Sequence, residues 1–434
     1  MTPNPEIMRA VEALQYRVTA GDVAAKVGLD IKLAEQGLLA LASEAGGHMQ
    51  VAESGDVAFV FPRQFRSILQ SKYVRLRLQA WWNQVWRVLF YIIRISFGIA
   101  LVASLILIVL AILAIYIALM TANRDGDNDS IGDRNGGILF LPRLWFGMDW
   151  YYIFLPDYSP RRYKPGAGGK DGELSFLESV FSFLFGDGNP NADLDERRWG
   201  AIATVIRNNR GAVVAEQIAP YLDIADGSTS QEYEDYMLPI LTRFNGSPEV
   251  SDDGQLIYRF PELQVSAKQQ QAKSVPAYLK ENLWKFSKAS SGQLTLAGSL
   301  GAANLVGAVW LGFLLRDGFA ASLGGIVGFV GGIYGLLLAY GLGFIGIPLL
   351  RYLWIQRRNQ KIEARNVQRQ DRAILLNEAN SALQHKLNFA RQFATESIVG
   401  EDNLAYDSQR ELTEQELERK DAIDNEWYRR LEGL

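Results

Sequence analysis

The chain has no cysteine. That excludes disulfides, thiolate-held zinc and cysteine-ligated iron–sulfur clusters. Histidine is almost as scarce: His48 and His385 are the only imidazoles in 434 residues. No metal site and no cofactor is expected. A catalytic set is missing too, with no Ser/His/Asp or Cys/His arrangement, and the glycine-containing loop GDGNPNADLD lacks the lysine of a P-loop. An enzyme is therefore not expected. The net charge of −4 is too small to imply a partner. The start, MTPNPEIMRAVEALQ, lacks the basic-then-apolar form of a signal peptide. The first membrane helix would then act as its own insertion signal.

One further absence organises the whole chain. Residues 95–120, ISFGIALVASLILIVLAILAIYIALM, contain no charge. A helix of that length exceeds the roughly 30 Å of a bilayer's hydrocarbon core. Lipid offers no partner for backbone N–H or C=O, so such a run is helical. A soluble core helix would keep a polar face, which this one lacks.

What is present before it reads as a small soluble domain over residues 1–66. Three short helical patterns are followed by VAESGDVAFVFP, which alternates around Gly55 like a β-hairpin. Three helices and a hairpin make a winged-helix pattern. The pattern recurs. GHMQVAESGDVAFVFP, from Gly47, aligns without a gap on GSPEVSDDGQLIYRFP, from Gly246, so that Val51, Gly55, Phe61 and Pro62 return as Val250, Gly254, Phe260 and Pro261. Upstream, GLLALASEAGG parallels YMLPILTRFNG, and VTAGDVAA parallels VVAEQIAP once a short insertion is allowed. Residues 191–265 are thus expected to be a second winged helix, with Gly55 and Gly254 as the wing glycines.

Winged helices often bind DNA, and phosphate contacts need a basic face. Residues 1–62 hold four Lys/Arg against eight Asp/Glu, and residues 196–262 hold six against eleven, for net charges of −4 and −5. The stretch LAEQGLLALASEAGG before the first wing carries no basic residue. Protein contacts are expected of these domains, and nucleic acid is unlikely as a partner.

Residues 67–122 form a basic and aromatic lead-in and the first span. Lys72, Arg75, Arg77 and Arg87 precede the apolar run, with Trp81, Trp82 and Trp86 at interface depth. The positive-inside rule and the aromatic belt mark this end as cytoplasmic. Arg87 and Arg94, seven apart on one helical face, read as snorkelling side chains. Within residues 123–190 comes an acidic linker, NRDGDNDSIGDRNGG, without the closing Glu of an EF-hand. An aromatic, proline-broken piece at 138–155 follows, expected to be re-entrant or interfacial, with a full span possible. ELSFLESVFSFLFGDG is an amphipathic helix whose apolar face would lie on the membrane or on the adjoining winged helix.

Residues 266–292 read as a basic linker and 293–355 as a transmembrane hairpin. Gly324, Gly328 and Gly332 are spaced by four, and Gly307 sits in a similar pattern on the preceding helix. Small residues at this spacing let helix backbones approach closely in lipid, so these glycines are the candidate packing sites. Neither span contains an acid or histidine that could bind an ion. Residues 356–434 read as a helical tail, whose last helix opens with the capping box Thr413/Glu416. Basic residues flank the first span and both ends of the hairpin, which puts all those ends on one side. That arrangement needs 138–155 to cross the membrane.

The segment FLESVFSFLFGDGNPNADLDERRWGAIATVIRNNRGAVVAEQIAPYLD, with the aromatic stretch before it and the QRRNQKIEARN tail, resembles a family of cyanobacterial and chloroplast membrane proteins of undefined function. The resemblance implies a thylakoid or plasma membrane location and transfers no active residue. Some plant relatives carry an iron–sulfur-assembly label, which a chain without cysteine does not inherit. The fold expected is mainly α, with two winged-helix domains, a long transmembrane helix, a glycine-rich hairpin and a helical tail. The function expected is an integral membrane scaffold or assembly factor that contacts lipid and membrane proteins, with self-association possible. A small oligomeric transporter or channel, and a membrane-tethered nucleic-acid-binding regulator, are the alternatives.

Overall fold

The computed structural model describes residues 4–72, 74–122, 174–224, 234–251, 254–269, 272–316, 323–378, 380–400 and 403–417, with isolated positions 420, 424, 427 and 428; of 70–72, 74–77, 79, 80 and 83 it describes the backbone alone. The acidic linker at 123–137 and the aromatic piece at 138–155 lie outside the described residues. The chain is mainly helical, with small sheets, and divides into two compact units. The first comprises Met1–Trp81, Pro190–Asn282 and Lys361–Leu434, and the second Trp82–Asn189 and Leu283–Gln360.

The first unit opens with α1, Pro5–Ala13, capped by the Asn4 side chain, which accepts from Glu6 N–H. Strand β1 is Arg17–Thr19, and α2 is Ala20–Val27. Thr19 and Asp22 form a reciprocal capping box at the start of α2. Helix α3, Ile31–Ala45, ends on Gly46 in the left-handed region. The hairpin β2 (His48–Ala52) and β3 (Val57–Val60) follows, and β1 pairs antiparallel with the far side of β3. Helix α4, Phe65–Lys72, leads into α5, Val74–Ala122. In the second unit α6 is Phe176–Phe185.

Back in the first unit, α7 (Leu194–Asn208), β4 (Ala212–Val213) and α8 (Ala215–Ile218) repeat the order seen at the N-terminus. A 3-10 turn at Asp235–Met237 then opens α9 (Leu238–Phe244), and the hairpin β5 (Ser247–Val250) and β6 (Leu256–Arg259) closes the segment. The sheet orders match: β1-β3-β2 in the first segment and β4-β6-β5 in the second.

The correspondence extends to single hydrogen bonds. Val18 pairs with Phe59, and Val213 with Tyr258. Phe61 N–H donates to Tyr16 O, and Phe260 N–H to Gly211 O, each at 2.8 Å. Gly47 N–H donates to Ala42 O, and Gly246 N–H to Leu241 O. Buried positions match as well: Leu38, Leu41 and Ala45 on α3 stand where Met237, Ile240 and Phe244 stand around α9. The wing glycines Gly55 and Gly254 have φ of 87° and 76°. Both turns need the left-handed backbone that glycine adopts without strain.

The two repeats are not separate domains. One hydrophobic core runs through both, joining Val11, Leu38 and Phe61 to Ile202, Phe244 and Phe260. The stretch after β6 is also part of this unit rather than a loose linker. Helix α10 (Pro261–Gln264) and β7 (Val265–Ser266) continue it, and Ala267, Leu279 and Glu281 are buried. Of the remaining elements, α11 is Ser291–Arg316 and α12 is Gly325–Asn377.

The tail corrects the expectation of a purely helical 356–434. Helix α13, Ser381–Gln392, packs Leu383, Leu387, Phe389 and Phe393 around Val214 and Ile257 of the second repeat. Strand β8 (Ser397–Ile398) pairs parallel with β7, and β9 (Leu404–Asp407) adds to the outer edge of β2. Sequence pattern missed both because two- and four-residue strands leave too short a period to read. Residues 412–417 begin the helix that carries Thr413 and Glu416.

In the second unit, three helices are long and apolar enough to cross a membrane: Gln84–Thr121, Ser291–Arg316 and Tyr334–Asn377. They bury Ile108, Ala111, Ile115, Ala308, Leu311 and Val330 together. The amphipathic helix α6 packs Phe176, Val180 and Leu184 against Leu101, Ala297 and Phe344 of these helices. The apolar face that the sequence assigned to the membrane or the adjoining winged helix is covered in part by these helices. Arg94 pairs with Asp187 at 2.8 Å, just beyond the end of α6. Trp81, Trp82 and Trp86 are all at least half exposed.

Candidate functional site

The glycines picked for helix packing divide sharply. A Cβ placed on Gly307 would lie 2.9 Å from Ile108, so this glycine does permit a close approach. Among the described residues, nothing lies within 4 Å of a Cβ placed on Gly324, Gly328 or Gly332. The close approaches inside the unit are elsewhere: Gly341 lies against Leu305, Gly301 against Phe344, and Gly98 against the backbone of Leu177. Spacing by four marks one helix face but not which face its own chain covers. The same unit buries one polar pair that sequence inspection passed over. Asn304, fully buried, donates to Ser104 Oγ.

The first unit holds a more extensive polar structure. Arg369, on α12, is 1% exposed. It donates to Leu279 O, to Asp223 and to Glu281. Arg365 holds the same Glu281 through two bonds of 2.8 and 2.6 Å. Burial alone would raise the Glu281 pKa, but the hydrogen bond and charge of Arg365, with Arg369 beside them, outweigh it and hold it below the usual value. Arg372 donates to the carbonyls of Leu222 and Ile224. The basic end of α12 is thereby fixed to the second repeat. A second anchor uses α13: Lys386 donates to Glu216 and Glu234. Burial opposes its charge, and the two glutamates overcome that and raise its pKa.

Between the repeats lies a cleft of about 710 Å³. Its walls are α2 of the first repeat, α7 of the second and the extended chain over 272–280. That chain is pinned across the opening. Asn208 makes two hydrogen bonds to the backbone of Lys273, Tyr221 Oη donates to Pro276 O, and Arg197 donates to Lys280 O.

The inner end of the cleft carries Lys26, Arg207 and Lys273. Asp22, which is 3% exposed, faces them, and Arg210 and Glu396 also line the cleft. Asp22 Oδ1 accepts from Arg207 at 2.7 Å, and Oδ2 accepts from the amides of Thr19 and Ala267. Its charge is therefore already committed. Lys273 has its pKa lowered, first by burial and then by Arg207 and Lys26, which exceed the opposite pull of Asp22. Ser266 lines the same cleft, is 5% exposed, and its hydroxyl has no partner among the described residues. The opposite end mixes signs, with Asp193 and Glu196 beside Arg197 and Lys280. Sequence spacing could not have grouped these residues, since they come from the two repeats and from the stretch taken as a linker.

Comparison with known proteins gives one informative likeness. An uncharacterized chloroplastic protein of Arabidopsis thaliana, At5g03900, is 36% identical over 444 residues, covering 98% of this chain and 82% of that protein. The chain belongs to the family of that protein. The alignment takes in both repeats and all three long apolar helices, so the whole architecture lies within the shared region. A chloroplast relative and three such helices are compatible with a thylakoid membrane location. No protein-family profile matches the chain, and no solved structure matches it.

Proposed function

We propose that the protein is an integral membrane scaffold or assembly factor, in which two winged-helix repeats, fused into one body, hold partner proteins at a membrane surface. A repeated exposed leucine carries this reading. Leu39 and Leu238 occupy equivalent positions in the aligned repeats, and are 45% and 60% exposed while the preceding residues, Leu38 and Met237, are buried. Leu33, 59% exposed, extends the first face. The same outward position left apolar twice, among polar neighbours, suits a protein interface. It does not suit DNA: the outward residues of α3 include one cation, Lys32, beside Glu35 and Gln36.

The membrane part of the reading rests on the three long helices and on the exposed tryptophans at the start of the first. Because residues 1–81 and 190–282 share a core, a crossing at 84–121 requires a return before 190. That favours both repeats on one side, the cytoplasmic side by the charge rule. The open face at Gly324, Gly328 and Gly332 would then be free to pack on other helices in lipid.

A small oligomeric transporter is the second reading, favoured by the buried Ser104–Asn304 pair among apolar helices, where Asn304 Oδ1 lacks a partner among the described residues. Affinity purification from solubilised native membranes separates the two. The scaffold reading expects partners in fixed ratio that are lost with Leu39→Asp or Leu238→Asp. Solute flux through liposomes containing only this protein, with no partner recovered, would favour the transporter.

A further inference from the structure

We propose that the cleft between the repeats binds a small phosphate-bearing molecule of about mononucleotide size, its phosphate held by Lys26, Arg207 and Lys273. This goes beyond the scaffold reading and does not depend on it. Three observations carry it. The first is charge. Lys26, Arg207 and Lys273 against Asp22 leave a local charge of about +2, which Arg210 and Glu396 in the same lining do not change, and a phosphomonoester supplies about −1.5 to −2 near neutral pH. The two repeats are both acidic by sequence, yet this end of the cleft carries net positive charge.

The second is unmet bonding capacity. The ammonium groups of Lys26 and Lys273 make no hydrogen bond or ion pair to another described residue, and both are open to an incoming anion. The Ser266 hydroxyl, 5% exposed, has none either. A buried hydroxyl without a partner is costly, and a phosphate oxygen would satisfy it. Asp22 cannot, because both of its oxygens are engaged by Arg207, Thr19 and Ala267.

The third is shape. About 710 Å³ lies in the range of ligand pockets and far exceeds one bare phosphate. Beyond the cation end the wall is apolar at Ala25, Ala201 and Val275, and it finishes at Asp193 and Glu196. Those carboxylates can accept from hydroxyl or amino groups. A phosphorylated sugar or nucleotide has this order of groups: an anion, a body, then donors.

The test uses the full-length chain in detergent and calorimetric titration with adenosine monophosphate, ribose 5-phosphate, adenosine and inorganic sulfate. At least one of the two phosphomonoesters binds, and adenosine does not. Lys26→Ala and Lys273→Ala, both at exposed positions, each weaken that binding by roughly tenfold, whereas Lys32→Ala, outside the cleft, leaves it unchanged. Affinity falls as pH rises through a lysine pKa below the ordinary 10.5, and Lys273→Ala removes that dependence. The proposal is overturned if neither phosphomonoester binds at millimolar concentration. Adenosine or sulfate binding as tightly as the phosphomonoester, or both lysine variants binding like the unaltered chain, overturns it equally.

Discussion

The two repeats share a hydrogen-bonded skeleton and differ in what is laid against it. In the first, β2 takes a fourth strand, β9, from the C-terminal tail. In the second, the equivalent β5 is the edge of its sheet among the described residues, with Pro248 in the strand and Val250 64% exposed. Proline removes a donor, which blunts an edge against pairing. The second repeat instead receives helices: α12 through Arg369 and Arg372, and α13 through Lys386 and its phenylalanines. What stayed constant is what the backbone demands: the left-handed turns, the Gly47 and Gly246 contacts with Phe61 and Phe260, and the inward helix positions. What diverged is the outside, where each repeat acquired a different partner from the same chain.

The largest way to break this comparison is Arg369→Ala. It strips the helix anchor from the second repeat and takes from buried Glu281 one of its two guanidinium partners, Arg365 remaining, a loss of about 3 kcal/mol. Chemical unfolding in detergent reads it. The same pair has a pH signature. Glu281 has a folded pKa below its ordinary 4.5, so its contribution is full above that value and disappears as pH falls through the folded pKa. Stability of the unaltered chain should decline more steeply below pH 4.5 than that of Arg369→Ala.

The sheet edge gives a smaller and more local effect. Met49 N–H donates to Ser408 Oγ, and Glu53 N–H to Asn403 O. Ending the chain at Val399 should speed amide exchange at both by roughly tenfold, the value of about one hydrogen bond, and leave the β5–β6 ladder unchanged. Equal loss in both sheets would show that the tail supports the whole body rather than one edge.

Two matched substitutions test the shared skeleton. A Cβ on Gly47 lies 2.9 Å from the Phe61 ring, and one on Gly246 collides with Phe260. Gly47→Ala and Gly246→Ala should each cost about 1–3 kcal/mol through overpacking. Gly55→Ala and Gly254→Ala meet no neighbour and carry only the left-handed backbone penalty, about 1 kcal/mol each. A large difference within either pair would mean that the repeats are alike in outline but not in packing.

Much of this was legible beforehand because it is written locally. The gapless wing alignment from Gly47 and Gly246 carried the strand register, and the uncharged run at 95–120 announced a long apolar helix. The rest depended on contacts distant in sequence. Nothing near Arg369 says that it will meet Glu281, 88 positions away. Nothing near Lys26 foretells Arg207 or Lys273. The spacing of Gly324, Gly328 and Gly332 was real, but a period cannot say which neighbour, if any, covers a face, and here no described residue does.

Both repeats, as one body, are proposed to lie on one side of a membrane, and single cysteines can report this because the chain has none of its own. Ser43 and Thr242 are exposed, at equivalent positions on α3 and α9. Each is replaced by cysteine in turn and treated with an impermeant maleimide in sealed, right-side-out vesicles. The account predicts that both stay unlabelled until detergent is added. Labelling of one without the other would place the repeats on opposite sides and contradict the shared core.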